Sequence, residues 1–361
     1  MVYLILLVSC LALVLIPGRK NQIKVMPFLL LMMIFICGMR APEVGRDTKN
    51  YIDIFLSGGG RAGMYEPIFQ LVADFTKWIG LGPNGFFTVM ACITFIPLFW
   101  FFYKTSRLPV FSILIFLTFS VVFFHQTMNT VRASAALPFC LMAFFHANKK
   151  QWKPTVLYFL VATGFHYSSL VLAAILLLAL MLKNLKREVF YVVLAVTLLT
   201  GLFLTSRIGA AIGRLTNAMV SLALFSKGTG YYVAQNYMAS LEGTSLNFFG
   251  VAGTLLPFSA YAFLLYDKEN RDSLYYKLFV LGVFISNVFL SVAIVYRVTM
   301  FLTPLITVIL PNTYKRSKPK KQAMLLGLSI LMILWYCYQM LTAGPDDMAG
   351  TVPYRAYWMT S

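Results

Sequence analysis

The feature that most restricts this chain is its alternation of uncharged apolar runs with short basic links, repeated along its whole length. A run of this kind satisfies its backbone in hydrocarbon only as a helix, and a straight crossing takes roughly 20 residues. The runs fall at 2–16, 27–41, 86–103, 109–126, 131–147, 154–166, 168–182, 189–206, 247–266, 274–294, 297–312 and 323–342. An all-α polytopic membrane protein of about 12 transmembrane helices is therefore expected, as one integral domain over 1–361. Charged residues make up only 12% of the chain, about half the share in a water-soluble globule. The opening run ends at Pro17-Gly18-Arg19-Lys20 without a small-x-small site, so it is expected to be a span and not a cleaved leader.

The apolar stretch Pro154–Leu182 is flanked by Lys149, Lys150 and Lys153 on one side and Lys183, Lys186 and Arg187 on the other. A single crossing would put one basic cluster outside, so a hairpin turning near Gly164–Ser168 is expected. With that turn, the inner links hold 19 of the 30 cations and 4 of the 12 acids, leaving +15 inside and +3 outside. The asymmetry places both termini outside. It also disposes of nucleic acid as the reason for the net charge of +18. The five cysteines all lie inside apolar runs without paired spacing, so neither a disulfide framework nor a zinc site is expected.

Two outer segments, 42–85 and 207–246, are too long to be connectors. In the first, Tyr65–Gly80 has apolar residues at helical spacing and reads as an amphipathic helix at the outer interface. The second opens like a helix and continues into a Gly/Tyr-rich stretch with Tyr231, Tyr232 and Tyr237.

Charges at membrane depth are costly, and four groups of them fall at the same outer face. They are Arg40 with Glu43–Tyr51, the turn His125–Arg132, His166 between two short runs, and Tyr296-Arg297. The forked guanidinium suits bidentate contact with a phosphate, so Arg40, Arg132 and Arg297 are candidates for a pyrophosphate. Snorkelling, or pairing with Asp47, Asp53 or Glu66, is the competing reading for each. A histidine in a turn, such as His166, is suited to accept a proton from an attacking hydroxyl, or is simply a satisfied structural residue. No HExxH, DxD, Walker loop or GxSxG occurs, so no metal, nucleotide cofactor or hydrolase chemistry is expected.

The ordered set Arg40…Val44-Gly45-Arg46-Asp47-Thr48…Tyr51, Glu66-Pro67-Ile68-Phe69, Asn129-Thr-Val-Arg132-Ala-Ser-Ala, Phe165-His166-Tyr167-Ser168-Ser169 and Pro353-Tyr354 resembles the EpsG family of Wzy-like polysaccharide polymerases. Gly45-Arg46-Asp47-Thr48 departs mildly from the family's G-x-D-Y. The resemblance implies a GT-C-like fold in a bacterial cytoplasmic membrane. It also implies joining of undecaprenyl-pyrophosphate-linked oligosaccharides at the outer face, with a chain-length regulator as a further partner. On it, Arg132 and Arg297 would hold the pyrophosphate, and His166 or Asp47 would orient or deprotonate the acceptor hydroxyl. Arg40 and Glu66 would position one another or the sugars, and Arg46, Tyr51, Asn129 and Tyr296 would contact substrate. A transporter of lipid-linked oligosaccharides, a membrane acyltransferase and an O-antigen ligase-like transferase are the competing classes.

Overall fold

The computed structural model describes residues 1–57, 65–119, 123–182, 186–219, 248–289, 297–344 and 347–359. Its elements are helices throughout, and no strand occurs among the described residues. From the N-terminus come α1 (Val2–Val14), α2 (Arg19–Gly38), α3 (Thr48–Leu56), α4 (Pro67–Trp78) and α5 (Pro83–Thr105). Then follow α6 (Pro109–Thr118), α7 (Val131–Asn148), α8 (Trp152–Phe165), α9 (Val171–Met181) and α10 (Arg187–Met219). The last five are α11 (Phe248–Leu265), α12 (Lys268–Asp272), α13 (Leu274–Phe289), α14 (Ile306–Arg316) and α15 (Pro319–Thr342).

Local sequence explains many of the boundaries. Pro67, Pro83, Pro109 and Pro319 each stand at a helix start, where a missing N–H costs nothing and the fixed φ is already helical. Hydroxyls inside the apolar helices bond back to the preceding turn, as Thr94 does to the Met90 carbonyl and Ser329 to that of Leu325. α6 stops at Thr118, short of the expected end at 126, and Phe119 leaves the helical region (ψ 63°). The helix breaks where the turn was expected: α8 ends at Phe165, and the backbone of His166 after it is extended (φ −158°).

The stretches Arg19–Gly38, Pro83–Thr105, Arg187–Leu204 and Pro319–Thr342 are long and apolar enough to cross a membrane, and five shorter apolar helices accompany them. Leu31, Leu177, Val192, Phe203, Leu331 and Leu334 stand exposed on these helices. So much outward apolar surface suits hydrocarbon as the solvent and would be a liability in water. The chain is a membrane protein.

The chain divides into two compact units, Met1–Leu177 with Pro304–Ser361, and Leu178–Thr303. In the first, α6 is central, with every side chain from Pro109 to Thr118 buried. α7 is nearly as enclosed and packs on α5 and α8. α4 is amphipathic as expected from 65–80. It turns Phe69 and Thr76 inward and leaves Leu71, Phe75 and Trp78 exposed. In the second unit α10, α11 and α13 pack together around a buried Asn287 that bonds Ser259 and Thr197. Such a polar bridge holds helices together where burial of apolar surface supplies no driving force. α10 runs on to Met219, so the expected outer segment 207–246 begins as helix. Its tyrosines 231, 232 and 237 lie outside the described residues.

Candidate functional site

The first unit gathers most of the suspected residues into one constellation. Glu66 occupies the cap position ahead of Pro67 and is only 3% exposed. One carboxylate oxygen, Oε2, accepts a hydrogen bond from Arg132 Nη1 at 2.6 Å. The other, Oε1, faces His166 Nδ1 at 3.0 Å and accepts the Tyr167 backbone N–H at 3.3 Å. A carboxylate only accepts, so Nδ1 carries the histidine proton and Nε2 becomes the basic nitrogen of the neutral ring. Burial works against ionisation of Glu66, but the His166 hydrogen bond and the Arg132 charge outweigh it and hold the carboxyl down at about 2. Glu66 is therefore a fixed anion and no proton acceptor at neutral pH.

Arg132 is the second residue of α7 and keeps 25% of its side chain exposed. Its guanidinium carbon lies 5.2 Å from the Tyr65 ring centre and 5.8 Å from that of Phe69. The Tyr51 phenol also faces it. Burial raises that phenol's pKa, with Arg132's charge pulling the other way. Of the acids the sequence offered as partners for Arg132, Glu66 is the one that forms the ion pair. It neutralises the guanidinium through a contact across 66 residues that only folding creates.

Arg40 and Glu66 do not position one another. Arg40 is buried (3% exposed) just beyond α2, where Nε donates to Thr48 Oγ1 at 3.1 Å and Nη2 to the Met128 carbonyl at 3.3 Å. Nη1 donates to the Cys37 carbonyl, and the guanidinium carbon sits 3.8 Å from the Phe87 ring centre. These partners occupy the fork, so Arg40 ties α2 to the 41–48 loop and the 125–128 turn.

Asp47 and Arg46 are exposed, on the loop entering α3. Asn129 Oδ1 accepts the Asp47 N–H at 3.3 Å, which brings Asp47, Tyr51 and Arg132 into one neighbourhood. Gly45 in this loop has φ +92°, and a Cβ there would meet Thr48 Oγ1 at 2.9 Å and Asn129 Oδ1 at 3.2 Å. Only glycine serves at that point. His125, the other turn histidine, is buried between Thr351 Oγ1 at 2.6 Å and Tyr336 OH at 2.8 Å, well tied into the protein's own packing. Arg297 is half-buried in the second unit, and Tyr296 lies outside the described residues. Among the described residues no group of three or more His, Cys, Asp or Glu has the arrangement of a metal site.

Two participants escaped the sequence reading. One is the bridging role of Glu66, for which its place before Pro67 at a helix start was the available hint. The other is the segment 347–359, whose backbone pairs with residues 39–46 through Ala41 N–H to Arg355 O (2.9 Å), Gly45 N–H to Gly350 O (2.8 Å) and Tyr357 N–H to Met39 O (3.0 Å). Of that segment only Pro353-Tyr354 had drawn notice.

The sequence model of the EpsG family matches residues 23–356, nearly the whole chain, and the chain belongs to that family. Membership associates it with polysaccharide biosynthesis of a polymerase-like or glycosyltransferase-like kind. No curated protein and no solved structure shows significant similarity to it.

Proposed function

With EpsG-family membership as the premise, we propose that this chain is a polysaccharide polymerase working on undecaprenyl-pyrophosphate-linked oligosaccharide repeat units at the outer face of the cytoplasmic membrane. The observation that carries the reading is the Arg132–Glu66–His166 relay, built around a buried Glu66. In the proposed step a hydroxyl oxygen of the incoming lipid-linked unit bonds to the anomeric carbon of the growing chain. The bond from that carbon to the pyrophosphate oxygen breaks, and the lipid pyrophosphate leaves with the electron pair. His166 takes the hydroxyl proton on Nε2, with Glu66 holding the tautomer and ring in place. Arg132, part exposed and braced by Glu66 and Tyr51, stabilises the charge developing on the departing pyrophosphate.

Asp47 is the second candidate to orient the acceptor, and Arg46, Tyr51 and Asn129 line the same neighbourhood. Arg40 is proposed as a positioning residue. The expected pyrophosphate role of Arg297 is kept as a proposal for substitution to decide. A transporter would need no proton acceptor held by an anion, so the relay favours transfer over transport. An O-antigen ligase-like transfer would use the same chemistry on a different acceptor.

The test compares purified wild type with Arg132→Ala, His166→Ala and Arg297→Ala on lipid-linked repeat units. Loss of about 100-fold or more in polymerisation rate is expected for the first two. Retained activity in both would remove the relay from the reaction.

A further inference from the structure

We propose that the C-terminal segment Met348–Ala356 is a working part of this site, with Asn129 as the positioning residue that transmits its hold to Asp47. The Ala349 carbonyl accepts two hydrogen bonds, from Asn129 Nδ2 at 2.6 Å and from the Arg46 N–H at 3.3 Å. The neighbouring Gly350 carbonyl accepts the Gly45 N–H at 2.8 Å. The Asp47 N–H, next in line, is taken by Asn129 Oδ1. Three consecutive amides of the loop before α3 are thus fixed by the tail, two directly and the third through Asn129. Asn129 lies three residues before Arg132, so one side chain joins the tail, the Asp47 loop and the start of α7.

The tail is built to hold this position. Met348 and Ala349 both have left-handed backbone (φ +45° and +61°), a region residues with a Cβ seldom enter unless their surroundings impose it. That conformation directs the two successive carbonyls at the loop. The segment is pinned from below by Thr351. Its hydroxyl donates to the Met348 carbonyl at 2.7 Å and accepts from His125 Nδ1, while Tyr3 OH donates to its carbonyl at 2.9 Å. Tyr336 OH donates to the other nitrogen of His125. His125, a turn histidine that the proposed chemistry does not use, thereby finds its role as the tail's anchor. Tyr354 OH adds a bond to the Ile36 carbonyl at 3.1 Å. A tail that only sealed the bundle would have no reason to concentrate its acceptors on the loop that bears Arg46 and Asp47.

The inference rests on the polymerase reading for its activity arm alone, so the test carries a second readout. Full-length wild type, Asn129→Ala, Ala349→Gly and Ala349→Val are placed in lipid nanodiscs, and amide hydrogen exchange over 44–48 is measured beside kcat and KM for the lipid-linked acceptor. Asn129→Ala should speed exchange of the Gly45–Asp47 amides about tenfold or more while those of α5 are unchanged. Its kcat should fall about tenfold or more with KM held, as expected when a reacting group is misplaced but substrate still binds. Ala349→Gly, which suits the left-handed backbone, should match wild type in both readouts. Ala349→Val should follow Asn129→Ala, and if it fails to fold, Asn129→Ala decides alone. Wild-type exchange over 44–48 in Asn129→Ala would overturn the inference, as would faster exchange with kcat and KM both intact. A wild type that polymerises nothing would fail the functional reading instead, leaving the exchange arm to judge the tail's hold on the loop.

Discussion

At the scale of single residues, the proposed mechanism turns on Glu66. Its carboxylate is shared between a guanidinium and an imidazole, and both would lose orientation without its charge. Glu66→Gln keeps the shape but removes the anion, so activity should fall about tenfold or more in an elongation assay, with a smaller effect on substrate binding. The carboxyl sits at about 2 in the folded chain against an ordinary 4.5, so its contribution to stability is complete above 4.5. It is lost as pH falls from 4.5 towards 2. Thermal unfolding should therefore separate wild type from Glu66→Gln by a constant margin near neutrality, and that margin should shrink below pH 4.5. Arg40 belongs to a different class. Its partners are backbone carbonyls and a buried threonine, so Arg40→Ala strands several acceptors and should cost on the order of 3 kcal/mol, read as a lower unfolding temperature and poorer yield. The sequence singled out Arg40 as an ion at the end of an apolar run, and Glu66 as a possible partner of an arginine and as part of the family motif. What it could not disclose was which pairing forms, since Arg40 meets Met128 and Glu66 meets Arg132 only after α2, α4 and α7 have packed.

At the scale of elements, what hydropathy and proline dictate was legible and what tertiary contact dictates was not. The helix over 83–105 was expected at 86–103, and Pro83 accounts for the earlier start. The break between α8 and α9 was expected from two basic flanks that one crossing could not keep on the same side. The tail over 347–359 has no periodicity to read, and its order comes from partners such as Tyr3 and His125, far away in sequence. Gly45 shows the same dependence: at φ +92° its N–H bonds the Gly350 carbonyl of the tail, and Asn129 Oδ1 stands where a Cβ would crowd it. Gly45→Ala should destabilise the loop by about 1–2 kcal/mol and raise proteolytic cleavage over 41–48. α4 leaves Leu71, Phe75 and Trp78 exposed on a helix whose first residue follows Glu66, which suits an element resting in the outer leaflet. A fluorophore on a cysteine at 75 should be quenched by lipids labelled near the headgroup and far less by lipids labelled at the chain terminus. The reverse order would move α4 out of the interface.

At the scale of the whole molecule, the proposed topology has the inner links set orientation and the outer ends carry the chemistry. Cysteines placed at 46 and 167, both exposed positions, should react with an impermeant reagent added outside intact cells, and cysteines at 150 and 318 only after permeabilisation. The opposite pattern would invert the topology. The proposed reaction, however, makes a bond. The most direct measurement supplies the purified chain in nanodiscs with one lipid-linked repeat unit, a chelator and no nucleotide, then follows glycan length and released lipid pyrophosphate together. A polymerase should give a ladder of products in steps of one repeat, with one lipid pyrophosphate freed per linkage formed. Intact repeat units recovered unlengthened, with no lipid pyrophosphate released, would contradict it.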